Sequence, residues 1–176
     1  MIKRLAEREL ATEFGTFTEI LYYDGQRESI ALVLGDFEGF DAVLCRIHSA
    51  CTGGHVFNSI ECECAAEMAV AQAAIQSEGR GIIIYLDQEG KGNGHLALML
   101  SIPFKKSGLP QGEAYEKAGY LADARSYVPA AEILKDLSVA SVVLMTDNSK
   151  KAIELERLGV AVTAVQDISA KLSQNT

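Results

Sequence analysis

Residues 46–64 read RIHSACTGGHVFNSIECEC, and the Ala-rich stretch AAEMAVAQAAIQSE follows over 65–78. Here β-rich sequence gives way to a helical pattern, so this stretch divides the chain. It also holds Cys51, Cys62 and Cys64, spaced C-x10-C-x-C. On an extended segment, Cys62 and Cys64 would point to one side, because a strand repeats every two residues. The loop between Cys51 and Cys62 is long enough to bring Cys51 to them. Three thiolates facing one point suit a soft or borderline metal, with zinc the default. Three protein ligands leave a position for water, which is the pattern of a catalytic rather than a structural zinc. Two other readings stand beside this one. A fourth ligand from Cys45, His48 or His55 would make the site structural. Cysteine is also a small hydrophobe, often buried and inert. Cys45, in the apolar run AVLC, fits that description.

Upstream, GTFTEILYY (15–23), ESIALVLGDF (28–37) and AVLCRIHS (42–49) read as strands, separated by the turn signals DGQ and GDFEGFD. Downstream, Gly79 stops the helix over 65–78. GIIIYLD (81–87) and SVVLMT (141–146) are continuous apolar runs, the mark of strands buried on both faces. Between them, residues 88–111 open with the glycine-rich EGKGNG and are irregular. PAAEILKDLS (129–138) is an amphipathic helix with Pro129 in its first turn. DNSKKAIELERLG (147–159) predicts another helix and VAVTAV (160–165) a last strand. The expected fold is mixed α/β: antiparallel N-terminal strands, then alternating strand–helix units around a mixed sheet, in a single domain over 1–176.

The bulk numbers set bounds. The chain has 176 residues, 48% hydrophobic and 23% charged, enough for one domain with its own core. No apolar run is long enough to span a bilayer, and MIKRLAEREL is no signal peptide. Four cysteines without a secretory segment point to reduced thiols in the cytoplasm. A net charge of −8 argues against a nucleic acid polymer and leaves a mononucleotide open.

Three further stretches could carry chemistry. In TDNSKK (146–151) a buried strand ends where a helix starts, and free N–H groups with two lysines attract anions. An ordinary capped helix reads the same way. DQEGKGNG (87–94) places a carboxylate, a lysine and glycines after a buried strand, as a ligand loop or a plain turn. It does not match the dinucleotide-binding glycine pattern. LADARSY (121–127) sets Asp123 two residues before Arg125. In a pocket the pair could hold a phosphate and move a proton; on the surface it is a salt bridge worth little. No Ser-His-Asp or H-E-x-x-H pattern is present.

Taken together and in this order, these segments resemble the GTP cyclohydrolase II family. RIHSAC is similar to the family's R-x-H-S-E-C, and the C-x10-C-x-C spacing matches fully. QEGKGNG resembles Q-E-G-R-x-I-G, LADARSY resembles A-D-E-R-D-F/Y, and TDNSKK resembles T-N-N-P-K-K. The match runs from about Arg46 to about Val165, and the N-terminal strands fit more loosely. The resemblance implies a hydrolase that opens the imidazole ring of GTP, releasing formate and pyrophosphate. It implies Zn²⁺ on Cys51, Cys62 and Cys64, Mg²⁺ with the substrate phosphates, and a homodimer. By position, Arg125 would attack or clamp the α-phosphorus and Asp123 would accept a proton. Arg46, Ile47, His48, Ser49, Ala50, Glu67, Glu89, Gly90, Lys91, Gln111, Thr146 and Lys151 would fall on substrate-binding positions.

The departures bear on substrate. Ala50 stands where the family has Glu, Glu67 where it has Gln, and Lys91 where it has Arg. Gly53-Gly54-His55 replaces T-G-D. Ala97 to Ile102 replaces N-K-I-R-A-Y, so Ile102 stands at the family's tyrosine. Two alternatives follow: an enzyme of this type acting on another purine or pyrimidine nucleotide, and a non-catalytic nucleotide-binding paralogue.

Overall fold

The structure is a computed structural model, and it describes residues 1–37 and 40–168. The turn expected over 35–41 and the end of the expected domain therefore lie partly outside the described residues. Seven strands form one sheet in the order β1-β2-β3-β5-β4-β6-β7. They are β1 (Lys3–Thr12), β2 (Gly15–Tyr23), β3 (Glu28–Leu34), β4 (Val43–Ser49), β5 (Gly81–Leu86), β6 (Ser141–Met145) and β7 (Ala161–Gln166). The helices are α1 (Thr52–Val56), α2 (Cys64–Glu78), α3 (His95–Lys106), α4 (Gln111–Lys117), α5 (Val128–Asp136) and α6 (Ser149–Arg157), with a 3₁₀ turn at Glu89–Gly92. The mixed α/β class is as expected.

The pairing refines the sequence reading. β1, β2, β3 and β5 pair antiparallel in succession, while β4 lies parallel to both β5 and β6, and β7 lies parallel to β6. β4 thus belongs to the parallel half, although its sequence sits with the first group of strands. β1 carries no period-two apolar pattern. Its charged side chains are mostly exposed and it pairs only with β2, so it is a polar edge strand.

The buried runs are apolar throughout because both sheet faces are covered. On β5, Ile82, Ile84 and Leu86 pack in a cluster with Ala130, Ile133 and Leu134 of α5 and Leu155 of α6. Ile83 faces the other way, to Val70, Ala71 and Ile75 of α2. Gly79 ends α2 in the left-handed conformation, as a helix-stopping glycine should.

This topology fixes where a site can form. β4, β5 and β6 are parallel, so the loops after them emerge at one sheet edge. From β4 the chain crosses one face of the sheet through α2 to β5, and from β5 it crosses the other face through α5 to β6, on the far side of β4. Such a switch point opens a crevice at the carboxyl ends of the strands.

Candidate active site

One expectation about the cysteines is corrected. Cys62 and Glu63 lie in an irregular link after the turn at Ile60 and Glu61, and Cys64 opens α2, so the C-x-C pair is not on a strand. The thiols converge by another route. Cys51 caps the one-turn helix α1, and its sulfur accepts from the Gly54 N–H at 3.4 Å. Cys51 Sγ lies 3.6 Å from Cys62 Sγ, and the three sulfurs fall within 4.8 Å of one another. Gly54 makes the room. A Cβ there would sit 3.0 Å from Cys62 Sγ and 3.5 Å from Cys51 Sγ. Burial raises the thiol pKa of Cys51 and of Cys64, and for Cys64 the neighbouring thiols add to the rise. A divalent cation at this point would offset that cost, and the donor set fits zinc. Cys45 is fully buried in the core, its thiol pushed up to about 12 by burial, and it takes no part.

The other predicted residues gather around the thiols through specific latches. Glu89 accepts hydrogen bonds from both the backbone N–H and the hydroxyl of Thr52, each at 2.7 Å, which ties the β5 loop to α1. The Gln88 amide donates to Ser126 O at 2.6 Å and accepts from Ser126 N–H at 3.1 Å. Ala124 N–H donates to Lys91 O at 2.9 Å. These bonds hold the Asp123–Arg125 loop against the Glu89–Lys91 loop. At Gly92, with φ +83°, a Cβ would meet Ala124 O at 2.6 Å, so no other residue permits this approach.

Two adjoining cavities result. One, of about 270 Å³, holds the three cysteines with Glu89, Gly90, Lys91, Gln111 and Arg125, and is walled by Leu98, Ile102 and Tyr115. The second, of about 310 Å³, is lined by Arg46, His48, Lys91, Arg125 and Lys151, with Glu67 and Asp147 as the acids. Ser49, Cys64, Lys91 and Arg125 border both.

The charges are organised. Arg46 is buried and donates to Glu67 at 2.6 Å and to Met145 O at 3.0 Å. Glu67 is therefore a counter-ion to Arg46. Burial outweighs that attraction and raises its carboxyl pKa. Lys151 is buried and donates to Ile47 O at 3.0 Å. Burial, then Arg46 and Arg125, lower it to about 7. Burial would raise the Asp123 carboxyl, but its bonds from Arg125 prevail and lower it. Arg125 is held more firmly charged by the same pair. His48 and His55 meet Nε2 to Nε2 at 3.0 Å beside Tyr85. Burial, with the nearby Arg46 charge, drops His48 to about 3, so it is neutral.

Some expected binding residues stand apart. The Ile47 side chain lies in the core on the opposite sheet face, because residues alternate along β4, and only its carbonyl faces the site. Thr146 is buried, and its hydroxyl accepts from Asn148 N–H at the start of α6. Gln111 donates to Ser101 Oγ at 3.1 Å at the cavity wall. Sequence reading missed Gln88, Thr52, Asp147 and Tyr115. Their roles come from contacts across the fold that no local pattern signals.

The sequence profile of the GTP cyclohydrolase II family matches residues 3–167. The chain belongs to the GTP cyclohydrolase II family. It is 41% identical over 165 residues to a riboflavin biosynthesis protein RibBA of Bacillus mycoides, covering 93% of this chain and 42% of that protein. To the RibBA of Bacillus cereus it is 41% identical over 158 residues, covering 89% and 40%. The chain thus spans about two fifths of these relatives. In fold it resembles RibBX, a two-domain 3,4-dihydroxy-2-butanone 4-phosphate synthase from A. baumannii, with a TM-score of 0.53 and 18% identity. That likeness covers 94% of this chain and 40% of the other. No helix among the described residues is long and apolar enough to cross a membrane.

Proposed function

We propose that this chain is a zinc-dependent hydrolase that opens the imidazole ring of GTP, releasing formate and pyrophosphate. One observation carries the reading. The thiol cluster shares a cavity with the Glu89–Lys91 loop and with Arg125, and that cavity adjoins a cationic one. Cys51, Cys62 and Cys64 would hold the zinc. Bound there, zinc supplies Lewis acidity and a water of lowered pKa. The remaining chemistry belongs to the protein. Arg125, Lys91 and Lys151 face the second cavity and would hold the phosphates, with Mg²⁺ accompanying them. Arg125 is paired and firmly cationic, which suits a clamp on the α-phosphate better than a nucleophile. Asp123 is ionised and can take a proton at the phosphate end. Glu89, anchored by Thr52, fixes the loop that faces the base.

A second reading keeps the reaction and changes the base. Its support is the apolar Leu98–Ile102 wall of the thiol cavity. The four free thiols accord with a reducing cytoplasm. The exposed Leu96, Met99 and Leu100 on α3 offer an apolar face for a homodimer. The test incubates zinc-loaded protein with a panel of nucleotides and follows formate and product mass. Formate and pyrophosphate from GTP support the first reading, release from another nucleotide the second, and none from any sinks both.

A further inference from the structure

Tyr115 lies on α4, its ring 1% exposed, and it lines the cavity that holds the three thiols. Its oxygen comes within 3.4 Å of where a Cβ on Gly90 would stand. The hydroxyl makes no hydrogen bond among the described residues. Three polar side chains of its surroundings are engaged elsewhere. Glu89 Oε2 takes both donors of Thr52, Gln111 Nε2 donates to Ser101, and Asp123 is bound by Arg125. The facing wall, Leu98 and Ile102, offers no partner. The residue is buried, but its oxygen is not sealed off: the buried side-chain atoms left without a partner among the described residues are Arg46 Nε, His48 Nδ1, Ser49 Oγ and His55 Nδ1. The hydroxyl therefore opens to the cavity and is free to donate to a ligand acceptor there.

The cavity itself indicates which acceptor. Its thiols and its Leu98, Ile102 and Tyr115 wall suit a base, and the cations of the adjoining cavity suit the phosphates. A purine ring set against the thiols presents its five-membered ring to this end. That ring carries one in-plane acceptor, N7, because N9 bears the ribose. Tyr115 is kept protonated by burial, which pushes its hydroxyl to about 12, so it can only donate there.

We propose that Tyr115 hydrogen-bonds N7 of the bound purine and is a substrate-contacting residue of this site. The proposal rests on the cyclohydrolase reading above. The test uses zinc-loaded full chain, Tyr115→Phe, GTP as substrate and 7-deaza-GTP as inhibitor. The inhibitor has C–H in place of N7, so the hydroxyl has nothing to bond. The expected result is a fall of about tenfold or more in kcat/KM for GTP in Tyr115→Phe, as for a lost buried hydrogen bond. The Ki of 7-deaza-GTP should stay within about twofold. Melting temperature should hold, since the hydroxyl has no protein partner. Unchanged kcat/KM overturns the proposal. So does a Ki that weakens by the same factor, or a fall in melting temperature that tracks the activity loss, because each would make Tyr115 a shaping residue. If Tyr115→Phe is silent while wild type releases formate, the inference falls and the function stands. A wild type that releases no formate from GTP overturns both, and that control is read before the variant.

Discussion

Replacing Glu67 by Gln separates two roles of one carboxylate. Glu67 pairs with Arg46 at 2.6 Å, with side-chain exposures of 18% and 4%. Removing one partner of a buried pair costs about 3–5 kcal/mol, but the Gln carbonyl still accepts a hydrogen bond from Arg46, and Met145 O remains. The expected loss is therefore about 2 kcal/mol. For a chain of this length that is a fall of roughly 4–8 °C in melting temperature. The same change removes a negative charge from the cavity lined by Arg46, Lys91, Arg125 and Lys151. At about 8 Å and an effective dielectric of about 20, one charge on one phosphate is worth on the order of 2 kcal/mol. GTP should then bind about 30-fold more tightly in Glu67→Gln, lowering KM while stability drops. Calorimetric melting and steady-state kinetics on one preparation read both. A variant that melts like wild type with unchanged KM would refute the account, since Glu67 would then be neither counter-ion nor charge barrier.

Cys62→Ser should lose most of its zinc by metal analysis, whereas a variant at Cys45 should keep it, because Cys45 is buried in the core. Gly54→Ala should weaken zinc retention against a chelator, since its Cβ would crowd Cys62 Sγ at 3.0 Å. Arg125→Ala and Arg125→Lys should each lower kcat by a hundredfold or more (roughly, for a lost transition-state charge contact) with little change in melting, because Lys cannot reproduce the fork. Asp123→Asn should also lose activity; near wild-type turnover in any of these three would return the pair to a surface salt bridge. Lys151 has a folded pKa of about 7, below its ordinary 10.5, so between those values the unfolded chain binds more protons. Stability should rise with pH across that window, at up to about 1.4 kcal/mol per pH unit, and should not change below it on this account. Lys151→Met should flatten that rise in denaturant melts taken at several pH values.

The sheet was legible wherever burial writes a pattern. GIIIYLD and SVVLMT are apolar without interruption because each lies between helices, and they are β5 and β6. β1 was not legible, because an edge strand with both faces wet has no alternation to show. The helix α3 was hidden for the opposite reason. Its fully buried residues are the small Ala97 and Ser101, while Leu96, Met99 and Leu100 are exposed, so its periodicity runs inverted. The thiol site was legible from spacing even though its local structure was not. A ten-residue loop and a helix start deliver the same convergence as a strand would, since three sulfurs need only meet at one point.

Charge partnership is where sequence reading reached its limit, and the departures from the family show why. Glu67 taken alone is an acceptor offered to a base edge. In the fold it is half of a buried pair with Arg46, 21 positions away in sequence. Ile102 taken alone is a lost hydroxyl. In the fold it faces a cavity that Tyr115 enters from the next helix. Both changes were read at single positions, while what they do is set by a neighbour across the site. A substitution that looks like decay at one position can thus be answered at another. Ile102 and Tyr115 lie 13 residues apart, on the successive helices α3 and α4. Moving a hydroxyl from α3 to α4 would change its direction of approach to the base while leaving the thiols, Glu89 and Arg125 where they are. That is how a recognition shell can diverge around a metal cluster whose geometry is kept.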